Sequence, residues 1–138
     1  MKPVLLDTGP IVALLDATDS FHRACAEAIA NIGVPLVTCE AVIAEACYLL
    51  RALKGAPQAV LENVAAGVFR IPLPLKAYAR SMSRVQGKNR KRETDLADAS
   101  LIHLAGEFGI GDILTLDSDF QVYRWSGNNP FRLLIPLA

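Results

Sequence analysis

Short apolar runs alternate with segments of helical periodicity along the whole chain. The first run is Val4 to Leu6, which is followed at once by Asp7 and by the turn signal Gly9-Pro10. A short apolar run bounded by turn residues is typical of a strand that is buried on both faces of a parallel sheet. Similar runs predict four more strands, over residues 34–37, 68–71, 113–116 and 133–135.

Helical patterns fill the intervals between the predicted strands. We expect Asp19 or Ser20 to cap the second helix, Thr38 the third and Thr94 the last. The predicted helices end near residues 15, 31, 53, 66, 85 and 108. Strands that alternate with helices imply parallel crossovers and a sheet covered on both faces. The pattern therefore predicts one α/β domain over residues 1–138.

Composition and charge narrow the classes of protein that this chain can belong to. Hydrophobic residues make up 52% of its 138 residues, yet no apolar run approaches the about 20 residues of a membrane span. The N-terminus lacks a signal-peptide pattern, so we expect a cytoplasmic protein without a membrane partner. The cysteines Cys25, Cys39 and Cys47 lie in apolar helical patterns, which predicts reduced core residues. Fourteen basic and fourteen acidic residues cancel, so only local charge can indicate a nucleic-acid partner.

Four carboxylates occupy positions that are otherwise apolar or lie at strand ends. Asp7 and Asp117 each follow an apolar strand, and Asp98 lies within the apolar stripe of the last helix. Glu45 falls on the flank of another apolar stripe, where we expect it to face a cleft. A carboxylate in such a place is costly unless a cation or hydrogen bonds compensate it. Taken singly, Asp7 is better explained as a helix cap than as a site residue. For Asp95, an acid that favours the helix dipole is as good an explanation as a functional one.

Together, four acids at one sheet edge indicate a metal site. The four charges repel one another, and only a hard cation makes such a cluster favourable. A set of ligands that are all oxygen suits Mg²⁺ or Mn²⁺. The chemistry that uses such ions is phosphoryl transfer. Asp7 as a covalent nucleophile of a phosphatase is a second possibility, but no second acid stands two residues after it.

The order and spacing of these segments resemble the PIN-domain ribonucleases, and most of all the small VapC-type toxins of type II toxin–antitoxin systems. The segments that carry the resemblance are Leu5-Leu6-Asp7-Thr8, Val42-Ile43-Ala44-Glu45, Leu96-Ala97-Asp98-Ala99-Ser100 and Leu114-Thr115-Leu116-Asp117-Ser118-Asp119-Phe120. The resemblance implies a three-layer α/β/α sandwich with a five-stranded parallel sheet. It also implies Mg²⁺- or Mn²⁺-dependent hydrolysis of single-stranded RNA, with one or two ions.

The resemblance also assigns site residues and partners. It places the metal-binding and catalytic acids at Asp7, Glu45, Asp98 and Asp117, and it places secondary positions at Thr8, Asp95, Thr115 and Asp119. The expected partners are single-stranded or loop RNA, with tRNA among the candidates, a cognate antitoxin protein and a second copy in a homodimer. A PIN-like module that binds RNA or protein without catalysis is the alternative function.

A basic segment leads into the last helix, and an aromatic group precedes the last strand. We expect the basic side chains to guide RNA toward the metals, with a solvated loop as the equal alternative; they are Arg84, Lys88, Arg90, Lys91 and Arg92. For Tyr123, Trp125 and Phe131, packing is expected more than base stacking. His22 and His103 are expected to be structural or exposed, since no nucleophile stands at a suggestive spacing.

Overall fold

The computed structural model describes residues 2–88 and 95–137, with the side chains of 85–88 outside that description. Its helices are α1 (Thr8–Leu15), α2 (His22–Asn31), α3 (Glu40–Leu49), α4 (Ala56–Ala65), α5 (Leu75–Lys88) and α6 (Leu96–Phe108). Its strands are β1 (Val4–Leu6), β2 (Leu36–Val37), β3 (Phe69–Arg70), β4 (Asp112–Leu114), β5 (Arg124–Trp125), β6 (Asn129–Pro130) and β7 (Arg132–Leu133). A 3₁₀ helix covers Ser118–Gln121.

Five of the strands form one parallel sheet in the order β3-β2-β1-β4-β7. The chain therefore builds outward from β1 to β3 in one direction and then returns to place β4 on the other side of β1. Ligands of open α/β sheets bind at the carboxyl ends of the strands where the direction of winding changes. This topology places that point between β1 and β4. The predicted sandwich with a five-stranded parallel sheet and flanking helices is confirmed.

The core is built from the apolar runs of the strands and the inner faces of the helices. All three residues of β1 are buried, as expected for a central strand covered on both sides. The helix α1 packs against α2 and α3, while α6 packs against α3 and α5. The three cysteines are free thiols, in agreement with their prediction as reduced residues. Within the described residues, no helix is both long enough and apolar enough to cross a membrane.

All three of the predicted helix caps are wrong. The N-cap of α2 is Phe21 instead of Asp19 or Ser20, and it has no side-chain capping bond. Thr38 does not cap α3, because its hydroxyl donates to the carbonyl oxygen of Leu6 at 2.8 Å and so links two neighbouring strands. The N-cap of α6 is Asp95 rather than Thr94, and its carboxylate accepts from the backbone N–H of Asp98 at 2.8 Å. The helix α3 also ends at Leu49, four residues before the predicted end, so that Leu53 is 41% exposed.

The end of the chain differs from its prediction in one respect. An antiparallel hairpin of β5 and β6, which the apolar pattern did not predict, precedes the last strand. Its Trp125 side chain packs against Gly111, where a Cβ atom would meet the indole Nε1 at 3.0 Å. The last strand is Arg132–Leu133 instead of 133–135. The helix α5 continues to Lys88 instead of ending near residue 85, and residues 89–94, which include most of the basic side chains, lie outside the described part of the chain.

Candidate metal centre

The register between β1 and β4 brings Asp7 and Thr115 together. Leu6 pairs with Leu114, and the backbone N–H of Asp7 continues the ladder by donating to the Leu114 carbonyl oxygen at 3.0 Å. Asp7 and Thr115 are therefore direct neighbours at the carboxyl edge of the sheet. The Thr115 hydroxyl donates to Asp7 Oδ2 at 2.7 Å, and the backbone N–H of Thr8 donates to Asp7 Oδ1 at 2.8 Å.

Asp7 is both a helix cap and a member of the acidic cluster, so the two interpretations of this residue are compatible. It is the N-cap of α1 and only 6% exposed. The positive end of the helix dipole favours a carboxylate at this position. The close approach of α1 to the chain after β4 favours Gly9, because a Cβ atom there would lie 3.3 Å from the Leu116 side chain, which would then have to shift.

Asp117 joins the site through the turn that follows β4. Its backbone N–H donates to the Thr115 hydroxyl oxygen at 3.0 Å, so one hydroxyl links the Asp7 carboxylate to the backbone of Asp117. Asp117 is the N-cap of the 3₁₀ helix, and its Oδ1 accepts from the backbone N–H of Asp119 at 2.9 Å. The Asp119 side chain is exposed and does not line the cleft described below.

Asp98 comes from the first turn of α6, on the face that packs against the core. It is only 7% exposed, and the residues around it on that face are the buried Leu101, Leu104 and Ala105. The hydroxyl of Tyr123 donates to Asp98 Oδ2 at 3.1 Å. The expectation that Asp98 lies within the apolar stripe of its helix is therefore confirmed.

The carboxylates of Asp7, Asp98 and Asp117 offer oxygen atoms that all lie within 4.8 Å of one another. Burial raises the pKa of Asp7 to about 6, and the charges of Asp117 and Glu45 add to this effect. Burial also raises the pKa of Asp98 to about 7, with further repulsion from Asp95, Asp7 and Asp117. The metal-free cluster is thus unfavourable when all three acids are ionised, which is the condition that a divalent cation relieves.

An open cleft of about 270 Å³ gives access to this cluster. Its lining residues are Asp7, Thr8, Gly9, Glu45, Leu49, Asp95, Asp98, Leu116 and Asp117. Glu45 lies at the rim and is exposed, so it faces the cleft as predicted but stands outside the tight group of three. Desolvation by the cleft wall raises the pKa of Glu45, and the charge of Asp95 adds to this effect.

The residues present fit a hard divalent cation. All the candidate ligands are carboxylate or hydroxyl oxygens, which are the donors that Mg²⁺ and Mn²⁺ prefer. Thr8 supplies a further observation, because its buried hydroxyl oxygen makes no hydrogen bond with the described residues. A buried polar atom without a partner in a native site points to a missing water, ion or ligand.

The remaining predicted functional residues are the basic and the aromatic side chains. Arg84 is exposed on α5, whereas the side chain of Lys88 and the residues Arg90, Lys91 and Arg92 lie outside the described structure. Tyr123 and Phe131 are each 7% exposed and pack edge-on against Phe120, so the interpretation of these two as packing residues is confirmed.

Neither histidine lies near the acids or in the cleft. The Nδ1 atom of His22 is 2.7 Å from the Ala13 carbonyl oxygen, and the His103 ring stacks on Tyr78. The two rings therefore have structural partners, as the sequence indicated.

Three residues at this site were not predicted from the sequence. Leu49 and Leu116 line the cleft, and Tyr123 bonds to Asp98. Gly9, which was predicted only as a turn residue, lines the cleft as well. Burial and the adjacent Asp98 charge raise the pKa of the Tyr123 phenol, which therefore stays protonated and acts as the donor. No local sequence signal marks this contact, because it joins residues that are 25 positions apart.

Comparison with known proteins places the chain among relatives of similar length. A model of the PIN domain family matches residues 4–125. Ribonuclease VapC26 of Mycobacterium tuberculosis (strain ATCC 25618 / H37Rv) is 30% identical over 134 residues, which cover 95% of this chain and 99% of that protein. Among solved structures, Mycobacterium tuberculosis VapC20, described as a sarcin-ricin loop cleaving toxin, matches with a TM-score of 0.81. That match has 22% identity and covers 96% of this chain and 99% of the other, so it shows a shared fold.

Proposed function

The chain belongs to the PIN-domain family and, within it, to the VapC ribonucleases, and on this basis we propose that it is a Mg²⁺- or Mn²⁺-dependent endoribonuclease that hydrolyses single-stranded RNA. The observation that carries the metal dependence is the group of three acids whose oxygens lie within 4.8 Å of one another at the base of an open cleft. The domain is proposed to be the whole of residues 1–138.

In this proposal Asp7, Asp98 and Asp117 hold one or two divalent ions, and Glu45 completes the ligand set from the rim of the cleft. A bound Mg²⁺ or Mn²⁺ supplies an activated water nucleophile and stabilises the negative charge that develops on the phosphate. The protein's own residues hold the carboxylates in place. Thr115 does so for two acids at once, because it donates to Asp7 and accepts from the backbone of Asp117.

The cleft suits an extended polynucleotide backbone more than a compact ligand. It is open, and its walls combine acids with the apolar side chains Leu49 and Leu116. In the proposed hydrolysis, the water attacks the phosphorus in line and the 3′ oxygen departs, so the products carry a 5′ phosphate and a 3′ hydroxyl. Single-stranded or loop RNA, tRNA included, is the proposed substrate class.

The basic segment is proposed to guide the RNA. Arg84 is exposed on α5, and the chain from Lys88 through Arg92 leads to Asp95 at the start of α6, which lines the cleft. Lysine and arginine side chains near such a groove attract phosphates with a strength that falls as salt rises. Neutralising Lys88, Arg90, Lys91 and Arg92 together is expected to weaken RNA binding and flatten its dependence on salt.

Two protein partners are also proposed, a cognate antitoxin and a second copy of the chain in a homodimer. Large apolar side chains are exposed along α3, α4 and the turn between them, namely Tyr48, Leu49, Leu53 and Leu61. Leu49 also lines the cleft, so a protein that covers this surface would reach the acids. Light scattering of the purified chain, alone and with a protein encoded beside it, tests both partners.

Cleavage assays test the proposed activity. Purified protein is incubated with a panel of single-stranded and structured RNAs in Mg²⁺, Mn²⁺ or EDTA, beside Asp7→Asn and Asp98→Asn variants. The matched control is Asp112→Asn, an acid at the other end of β4 that pairs with Arg132 at 2.8 Å. Cleavage that requires metal, is lost in the first two variants and remains in the control supports the proposal. Products with 2′,3′-cyclic phosphate ends, or binding of RNA without cleavage, would overturn it.

A further inference from the structure

Asp98 depends on a different kind of support from the other acids of the cluster. Asp7 accepts from two donors, the backbone of Thr8 and the hydroxyl of Thr115. Asp117 accepts from the backbone of Asp119, two residues along the chain. For the Asp98 carboxylate, the donor among the described residues is the hydroxyl of Tyr123, which bonds to Oδ2 at 3.1 Å.

The position of the Tyr123 ring is fixed independently of this bond. The ring is 7% exposed and meets Phe120 edge-on, with centroids 5.1 Å apart at 88°. Phe120 is in turn held edge-on by Phe131 at 5.3 Å. The backbone N–H of Tyr123 donates to the carbonyl oxygen of Asp119 at 3.0 Å. The hydroxyl is therefore carried by a rigid group that is packed before any ligand arrives.

From this arrangement we propose that Tyr123 is a positioning residue for metal binding, which holds the Asp98 carboxylate in its ligating orientation. The inference rests on the proposed function, because it assumes that the three acids bind a divalent cation. Tyr123 is not among the residues that line the cleft. Its action passes through one hydrogen bond to a carboxylate.

The chemistry of the bond suits this role. The carbon–carboxylate torsion of an aspartate has a broad energy minimum, so an unsupported carboxylate samples many orientations. One O–H donor fixes the plane of the carboxylate yet leaves the other lone pairs of its two oxygens available to a cation. Hydrogen bonds to ligating carboxylates are worth about 10- to 100-fold in metal affinity. Loss of the Tyr123 hydroxyl is thus expected to weaken metal binding by at least about 10-fold.

The same bond connects two parts of the site that the chain brings from different places. Asp98 belongs to α6, while Tyr123 follows the 3₁₀ helix that begins after Asp117. A shift of this segment would move the Tyr123 hydroxyl and Asp117 together. Tyr123 therefore ties the orientation of one acid to the position of another.

The test measures Mn²⁺ binding by isothermal titration calorimetry at pH 8 for the full chain and its Tyr123→Phe variant, which keeps the ring and removes the hydroxyl. A matched control is Tyr78→Phe, since Tyr78 is 3% exposed and packs with Ala99 of the same helix α6. A second control, Phe69→Leu, disturbs a buried aromatic side chain of β3, at the far edge of the sheet, and leaves the packing around Tyr123 intact. The thermal unfolding of every variant is recorded without metal.

We expect Tyr123→Phe to raise the Kd for Mn²⁺ at least about 10-fold while both controls stay within about twofold of the parent chain, whatever stability each variant loses. RNA cleavage by Tyr123→Phe should then need about 10-fold more Mn²⁺ for half-maximal rate and recover at saturation. A Kd within twofold of the parent value, or an equal loss in the controls, would overturn the positioning role and leave the nuclease proposal intact. A parent chain that binds no Mn²⁺ would overturn the metal centre and this inference with it.

Discussion

The substitution Asp98→Asn is expected to stabilise the metal-free protein at pH 8 and to remove the stabilisation that Mn²⁺ gives. The reason is the raised pKa of Asp98, about 7 against an ordinary value of 3.8. Burial is the main cause of this shift, and the charges of Asp95, Asp7 and Asp117 add to it. Asparagine removes the charge and keeps an oxygen that can accept from Tyr123.

The size of the effect follows from the pKa. The unfolded chain releases the Asp98 proton near pH 3.8, whereas the folded protein holds it until about pH 7. Stability therefore falls as pH rises through this interval, and the whole cost of ionisation is present at pH 8. At about 1.36 kcal/mol per pKa unit, the ceiling is about 4 kcal/mol. Because part of the shift is repulsion from neighbouring acids that rearrangement relieves, we expect a gain of about 1 to 3 kcal/mol.

Urea unfolding in EDTA at pH 5 and pH 8 measures this gain. The advantage of Asp98→Asn should be present at pH 8 and should shrink at pH 5, where the parent chain keeps its proton. Saturating Mn²⁺ at about 100 times its Kd should then add about 2.7 kcal/mol to the parent chain and little to the variant. The control Asp112→Asn removes an acid paired with Arg132. It should gain no stability at pH 8, and Mn²⁺ should stabilise it as much as the parent chain.

Two results would refute this reasoning. One is a variant that is less stable than the parent chain by the same amount at both pH values, since that would mean that the carboxylate is favourable where it lies. The other is an equal gain in stability from Mn²⁺ in both proteins, which would place the cation away from Asp98.

Three further predictions concern the surroundings of the acids. The affinity for Mn²⁺ should fall steeply as the pH drops below about 6, because protons then compete with the cation for Asp7, with a pKa of about 6, and Asp98, with a pKa of about 7. A Kd that is independent of pH between 5 and 8 would contradict this. Thr115→Val should lower the free energy of unfolding by about 2 kcal/mol and weaken Mn²⁺ binding, because it removes both hydrogen bonds of the hydroxyl. Thr115→Ser, which keeps the hydroxyl, should leave stability and Mn²⁺ affinity near the parent values in the same assays. Gly111→Ala should cost about 1 to 3 kcal/mol in urea unfolding and change the fluorescence of Trp125, which a Cβ atom would meet at 3.0 Å, yet leave Mn²⁺ affinity unchanged.

The sequence predicted the strands and the acids for physical reasons that are local. Val4 to Leu6 had to be buried on both faces, and Asp98 stood out because a charge on an apolar stripe needs compensation. The β1–β4 register then determined which groups meet, as for Asp7 and Thr115.

Two of the failures arose where a distant partner competes with a local one. Thr38 precedes an acidic helix start and resembles a cap, but its hydroxyl bonds to Leu6 across the sheet instead. The contact between Tyr123 and Asp98 exists only because the fold returns the chain to α6 after β4. No periodicity or spacing encodes such a contact.

The acids of the cluster are distributed from one end of the chain to the other. Of the three acids, Asp7 is made first during synthesis, Asp98 follows ninety-one residues later, and Asp117 is made after both. Strand β4, which precedes Asp117, pairs directly with β1, so this part of the sheet forms only after β4 has been made. A growing or truncated polypeptide that stops before β4 thus lacks the Asp117 carboxylate and the Thr115 hydroxyl that supports Asp7. For a ribonuclease, this order of assembly delays completion of the acidic cluster until the segment after β4 has been made.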